Sequence, residues 1–189
     1  AVRSHAAAGR PVLGIGGGFQ MLVRTIHDDV ETLSGTVDGL GLLPVDVTFA
    51  ARKTLSRPAG EGLGASVHGY EIHHGFVSGG DPEPLLRYAD GRPEGAVNGH
   101  VSGTHWHGAF ESDEFRRRFL TRAARQAGRH GFTVAPDTRF AAVRERALDV
   151  LGDLVAEHLD TDALWRLVER GVPAGLPFIP PGAPPVPAR

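Results

Sequence analysis

An α/β fold follows from three stretches of this 189-residue chain. Pro11 to Ile15 is apolar at both parities, the pattern of a strand buried on two faces within a parallel sheet. Gly16 to Gly18 form a glycine-only corner, and Phe19, Gln20, Met21 and Leu22 begin a helix after it. From Ser112 onward the apolar spacing turns helical. The expected architecture is a mixed, mainly parallel sheet flanked by helices, with a helical C-terminal portion from about residue 111.

Taken in order, Ala1 to Ala8 suits a helix, and Gly9 suits its C-terminal cap. The helix after the glycine corner is expected to run about two turns, with Met21, Leu22 and Ile26 inward, until His27-Asp28-Asp29 breaks it. Gly35 to Pro44 reads as a loop. Val45, Val47 and Phe49 alternate with Asp46, Thr48 and Ala50, as in a strand with one buried face. Arg57 to Gly64 reads as a turn-rich excursion. Val67 to Val77 is expected to be one strand, with Tyr70, Ile72 and His74 on one side and Glu71 and His73 on the other. Leu85 to Tyr88 and Ala96 to Asn98 read as short strands around an Asp90-Gly91 turn, and Val101 to Trp106 as another.

Ser112 is expected to cap a helix carrying Phe115, Phe119 and Ala123 on one stripe. Asp137 or Thr138 starts a long helix with Phe140, Val143, Ala147, Leu151 and Leu154 inward. Asp160 caps a last helix with Leu164 and Leu167. The chain enters on what reads as a helix end, so the expectation is a partial domain over residues 1–170, its first strands missing. Residues 171–189 read as a proline-rich, disordered tail.

Bulk properties narrow the function classes. Hydrophobic residues make up 41% and charged residues 22%, ordinary for a globular protein. A formal net charge of -2 carries no nucleic-acid footprint. No apolar run approaches the ~20 residues that span a bilayer, and no signal peptide is visible. With 0 Cys there is neither a disulfide framework nor a thiolate metal site, which suits the cytoplasm. The expectations are therefore no nucleic-acid partner, no membrane partner and a cytoplasmic location.

Gly14-x-Gly16-x-Gly18 has the layout of a nucleophile elbow, in which the central residue stands at a strained strand-to-helix turn. Here that position has no side chain. A plain glycine-rich turn fits the stretch as well. A dinucleotide fingerprint would need Gly at position 19, which is Phe19, and a P-loop would need a Lys that does not follow. Six of the 10 histidines fall between residues 68 and 107. His107 follows a strand and precedes Gly108, where side chains reach a cleft. His105 and His107 share a side in a regular strand, a spacing that also suits chelation, but no H-E-x-x-H is present and no metal site is expected. Thr104 reads as a strand hydroxyl, and Glu71 as a sheet-paired carboxylate or an orienter for His73.

Several of these segments together resemble one family. GIGGGFQML (Gly14 to Leu22) is similar to the GICGGYQML elbow of class I (triad-type) glutamine amidotransferases, which have a flavodoxin-like fold. GLGLLP (Gly39 to Pro44), followed by Thr48 and Lys53, also matches. GYEIHHG (Gly69 to Gly75) resembles GYEIHMG, and GTHWHG (Gly103 to Gly108) resembles GTYLHG. The order of the motifs and the helical end suit the cobyric acid synthase type. The resemblance spans roughly Pro11 to Val168.

The resemblance implies glutamine hydrolysis that feeds ammonia to ATP-dependent amidation of corrin carboxylates in cobalamin synthesis. The family's nucleophilic Cys falls at Gly16, and its general base and acid at His107. Gly17 and Gly18 fall at the oxyanion-holding turn; Gln20, Tyr70, Glu71 and His73 fall at substrate-binding positions. Glutamine and an upstream synthetase portion are the implied partners. No cofactor is implied for this chain; ATP and Mg belong to the synthetase. With Gly16 in place of the thiol the chain is expected to be inactive as a glutaminase. A non-catalytic glutamine- or partner-binding module is the alternative.

Overall fold

The computed structural model describes residues 1–178. The chain divides into two compact units, residues 1–141 and residues from Ala142 onward. Residues 179–189 of the expected disordered tail lie outside the described residues.

The first unit opens with α1 (Val2–Ala7), β1 (Val12–Ile15) and α2 (Gly17–Leu22). Gly14 permits the tight strand-to-helix return, because a Cβ there would lie 2.6 Å from the Gly18 carbonyl oxygen. Helix α2 is shorter than expected. Val23 is already extended and the Arg24 N–H donates to the Val45 carbonyl, so the sheet captures the chain. Residues 25 to 28, read above as helix and breaker, form β2 (Thr25–Asp28) instead. Leu22 is buried as expected, whereas Met21 is exposed and Ile26 reaches the core from β2.

The expected loop after it contains β3 (Gly35–Asp38), antiparallel to β2. β4 (Asp46–Ser56) lies parallel to β2 and antiparallel to β7 (Glu71–Ser78). The turn-rich excursion holds β5 (Ala59–Gly62). The single strand expected over 67–77 is two, β6 (Ala65–His68) and β7, broken at Gly69-Tyr70. β8 (Leu86–Tyr88), β9 (Pro93–Glu94), β10 (Ala96–Asn98) and β11 (Val101–Thr104) follow.

Three sheets result, with orders β1-β11-β10, β3-β2-β4-β7 and β6-β5-β8-β9. The class is α/β with mixed sheets. The balance differs from the expected mainly parallel one: among the described strands only β1/β11 and β2/β4 pair in parallel. One apolar cluster gathers Phe19, Leu22, Val45, Val47 and Val101; a second gathers Val67, Leu86, Trp106 and Phe115. α3 (Asp113–Gln126) lays Phe115 and Phe119 on the second cluster, as its stripe predicts. Ser112 precedes α3 but makes no side-chain cap. Its hydroxyl instead accepts the His68 backbone N–H at 3.1 Å.

The second unit carries most of α4 (Phe140–His158) and all of α5 (Thr161–Arg170). Asp160 caps α5 as expected, accepting the Ala163 N–H at 2.8 Å. Val143, Leu151 and Leu154 do not point inward; they are 44%, 56% and 52% exposed. Helical periodicity marks an apolar face but does not supply a surface to cover it.

Candidate functional site

Two adjacent parallel strands build the site. β1 runs beside β11 with Ile15 opposite Thr104. The Gly16 N–H donates to the Thr104 carbonyl at 2.9 Å, so the corner at 16 and the segment reaching His107 leave the same sheet edge together. Side chains at the carboxyl ends of parallel strands border the crevice of an open α/β sheet. Gly16 takes φ 56° and ψ −121°, a conformation that strains any residue with a Cβ. A Cβ at that position would lie 2.7 Å from both Cε1 and Nε2 of His107. The glycine corner and the histidine, far apart in sequence, therefore meet.

A buried carboxylate fixes the segment carrying His107. Glu94 accepts the Thr104 hydroxyl at 2.6 Å and the His105 N–H at 2.8 Å. The Thr104 hydroxyl oxygen in turn accepts the Trp106 N–H at 3.0 Å. Sequence reasoning missed Glu94. A lone Glu between Pro93 and Gly95 carries no motif, and only the pairing of β10 with β11 brings that segment alongside Thr104.

His105 and His107 do not form a pair. β11 ends at Thr104, so regular strand alternation does not extend to them. The buried ring of His105 stacks on His73 with centroids 4.1 Å apart and lies 3.6 Å from the Glu94 carboxylate. The His107 ring stacks instead on Tyr70, centroids 5.2 Å apart and 17° from parallel. Among the described residues no group of three or more His, Cys, Asp or Glu side chains is arranged to hold a metal. Three more of the clustered histidines are engaged elsewhere: the rings of His74 and His100 meet the Ala50 and Ala6 carbonyls, and that of His68 pairs with the Ser112 hydroxyl.

Glu71 is buried, with both oxygens engaged. Ser56 donates to Oε1 at 2.8 Å; Tyr88 donates to Oε2 at 2.9 Å, with His73 Nε2 3.3 Å from the same oxygen. Burial alone would raise its pKa, but hydrogen bonds from His73, Ser56 and Tyr88 outweigh that and lower it to about 2. The other nitrogen of His73 donates to the Gly75 carbonyl at 2.5 Å. Gln20 packs over the same residue, its side-chain nitrogen 2.8 Å from where a Gly75 Cβ would stand. Gly17 and Gly18 form the first turn of α2, and Gly17 is exposed. Three of the predicted site residues, Gly17, Gly18 and Gln20, sit in α2 beyond the corner, and the others fall in two groups. Gly16, His107 and Tyr70 meet at the sheet edge, while Glu71 and His73 lock the start of β7.

Residues 1–115 match the family model described as a CobB/CobQ-like glutamine amidotransferase domain. Cobyric acid synthase of Streptomyces avermitilis is 62% identical over 186 residues, covering 97% of this chain and 35% of that protein. Cobyric acid synthase of Saccharopolyspora erythraea is 59% identical over 185 residues, covering 97% and 36%. The chain therefore spans about a third of the length of these curated relatives. A crystal structure of a glutamine amidotransferase is 25% identical, with a TM-score of 0.48 over 67% of this chain and 66% of that one.

Proposed function

The chain belongs to the CobB/CobQ-like glutamine amidotransferase family, and on that premise we propose that it is the glutamine-handling portion of a cobyric acid synthase whose attacking group is absent. In the reaction this portion is built for, a glutamine amide is hydrolysed and its ammonia passes to an upstream synthetase portion; with Gly16 in place of the thiol this chain does not carry out the hydrolysis. The synthetase portion uses ATP and Mg to amidate corrin carboxylates in the cytoplasm during cobalamin synthesis. The observation that carries the reading is the His107 imidazole standing over position 16, at the ends of two neighbouring parallel strands.

The chemistry assigns one task to each group. A thiol at position 16 would attack the amide carbon while His107 Nε2 takes its proton and returns it to the departing ammonia; water, deprotonated by the same nitrogen, would then cleave the thioester to glutamate and the free thiol. The Gly17 N–H faces the developing oxyanion, and Gln20 with the Gly75 segment lines the glutamine. Gly16 keeps the backbone turn and removes the attacking atom. By analogy with nucleophile deletions in proteases, that loss costs on the order of a millionfold in rate.

Ammonia release from glutamine, measured on this chain and on its G16C variant, tests the assignment. Background release from the native chain and a gain in G16C are expected; equal release from both overturns the role of position 16. The intact corner at Gly16 favours a second reading, a glutamine-binding module without catalysis. Calorimetric heat with glutamine in the native chain, with no ammonia formed, supports it; absence of heat counts against it.

A further inference from the structure

We infer that Tyr70 is a positioning residue that holds the His107 imidazole turned toward position 16. The inference rests on the reading of positions 16 and 107 as the reacting pair. Tyr70 lies in the break between β6 and β7, and that break docks it on His107 in two ways. Their backbones exchange hydrogen bonds, Tyr70 N–H to the His107 carbonyl at 2.9 Å and His107 N–H to the Tyr70 carbonyl at 2.8 Å. Their rings stack 17° from parallel. The backbone pair fixes where the histidine begins, and the flat phenol face removes the rotamers in which the imidazole would swing away.

Tyr70 is itself held at its neighbour. Glu71 is clamped by Ser56, Tyr88 and His73, so the chain entering β7 has little freedom to retreat. Tyr70 is 45% exposed, so replacing its ring removes the face contact without emptying a core position. Tyr70 touches no reacting atom in this scheme; it acts through His107.

The test exploits the 0 Cys of the native chain, because in G16C every thiol alkylation reports position 16, with the native chain as the blank for other side chains. A thiol beside a correctly turned imidazole forms a thiolate–imidazolium pair and reacts with iodoacetamide well below the usual thiol range, at about pH 6. G16C and G16C/Y70F are expected to show this acid-side reactivity. G16C/Y70L is expected to lose about tenfold at the same pH while keeping its circular dichroism. Full acid-side reactivity in G16C/Y70L overturns the role of Tyr70 and leaves the 16/107 pairing standing. An ordinary thiol profile in G16C itself overturns both. Loss in G16C/Y70F would assign the effect to the hydroxyl and overturn the face contact. A second measurement needs no substitution at the glycine. Three-bond couplings of His107 in the native chain and in Y70F are expected to report one side-chain rotamer, and in Y70L an average. A single rotamer in Y70L overturns the inference.

Discussion

The imidazole of His107 occupies the space into which a side chain at Gly16 would grow, with two ring atoms 2.7 Å from the missing Cβ. The contact is with the tip of a side chain, which can tilt while stacked on Tyr70, whereas the backbone at φ 56° cannot relax without undoing the corner. G16A is therefore expected to destabilise the fold by about 1–3 kcal/mol from backbone strain. The same substitution in an H107A background is expected to cost less by about 1 kcal/mol, since the clash is gone. Urea unfolding of the four proteins of this cycle checks both values.

Glycines of this region differ sharply in tolerance. A Cβ at Gly103 would sit 2.0 Å from the ring of Phe19, which is fully buried. G103A is expected to cost about 1–3 kcal/mol or more through overpacking. Gly17 has nothing within 4 Å of its missing Cβ and lies in α2 with an ordinary φ. G17A is expected to stabilise by about 0.5–1 kcal/mol. Thermal melts of the two variants should move in opposite directions.

The Glu71 cluster links stability to acid. The folded pKa of Glu71, about 2, lies below the ordinary 4.5 of an unfolded glutamate. A depressed carboxyl contributes stability that is fully present above the unfolded value. That stability is lost as pH falls from about 4.5 toward 2. The contribution is about 3 kcal/mol at most. E71Q is expected to be less stable than the native chain at neutral pH. The gap should narrow through this acid window in denaturant titrations, and a gap independent of pH would refute the assignment.

Asp160 lies in the second unit. Its carboxylate accepts the Ala163 N–H at the start of α5. D160A is expected to remove about 1 kcal/mol from that helix. Hydrogen exchange should quicken across Thr161–Arg170 and stay unchanged in β1 and β11.

Much of the site could be read from local chemistry. The apolar run Val12 to Ile15, the three glycines and the return into α2 form one continuous signal, and the structure keeps it with Gly16 at the turn. The stripe of Phe115 and Phe119 was legible for the same reason, because the residues that pack are near in sequence. β2, β3 and β5 were not legible. Thr25 to Asp28 and Ala59 to Gly62 are short, and sheet partners brought from elsewhere make them strands. The break at Gly69-Tyr70 was hidden too, since alternation runs through it and only the docking on His107 interrupts the ladder.

By itself the amino-acid order determined the class of fold, the corner at residue 16 and the absence of a thiol anywhere in the chain, because each depends on a residue and its immediate neighbours. Only the tertiary structure decided that Tyr70 stacks against His107, that Glu94 holds the segment leading to it, and that Glu71 ties three strands together. These are contacts between segments distant in sequence. They are settled when strands pair and side chains close-pack, and neither spacing nor composition encodes their partners.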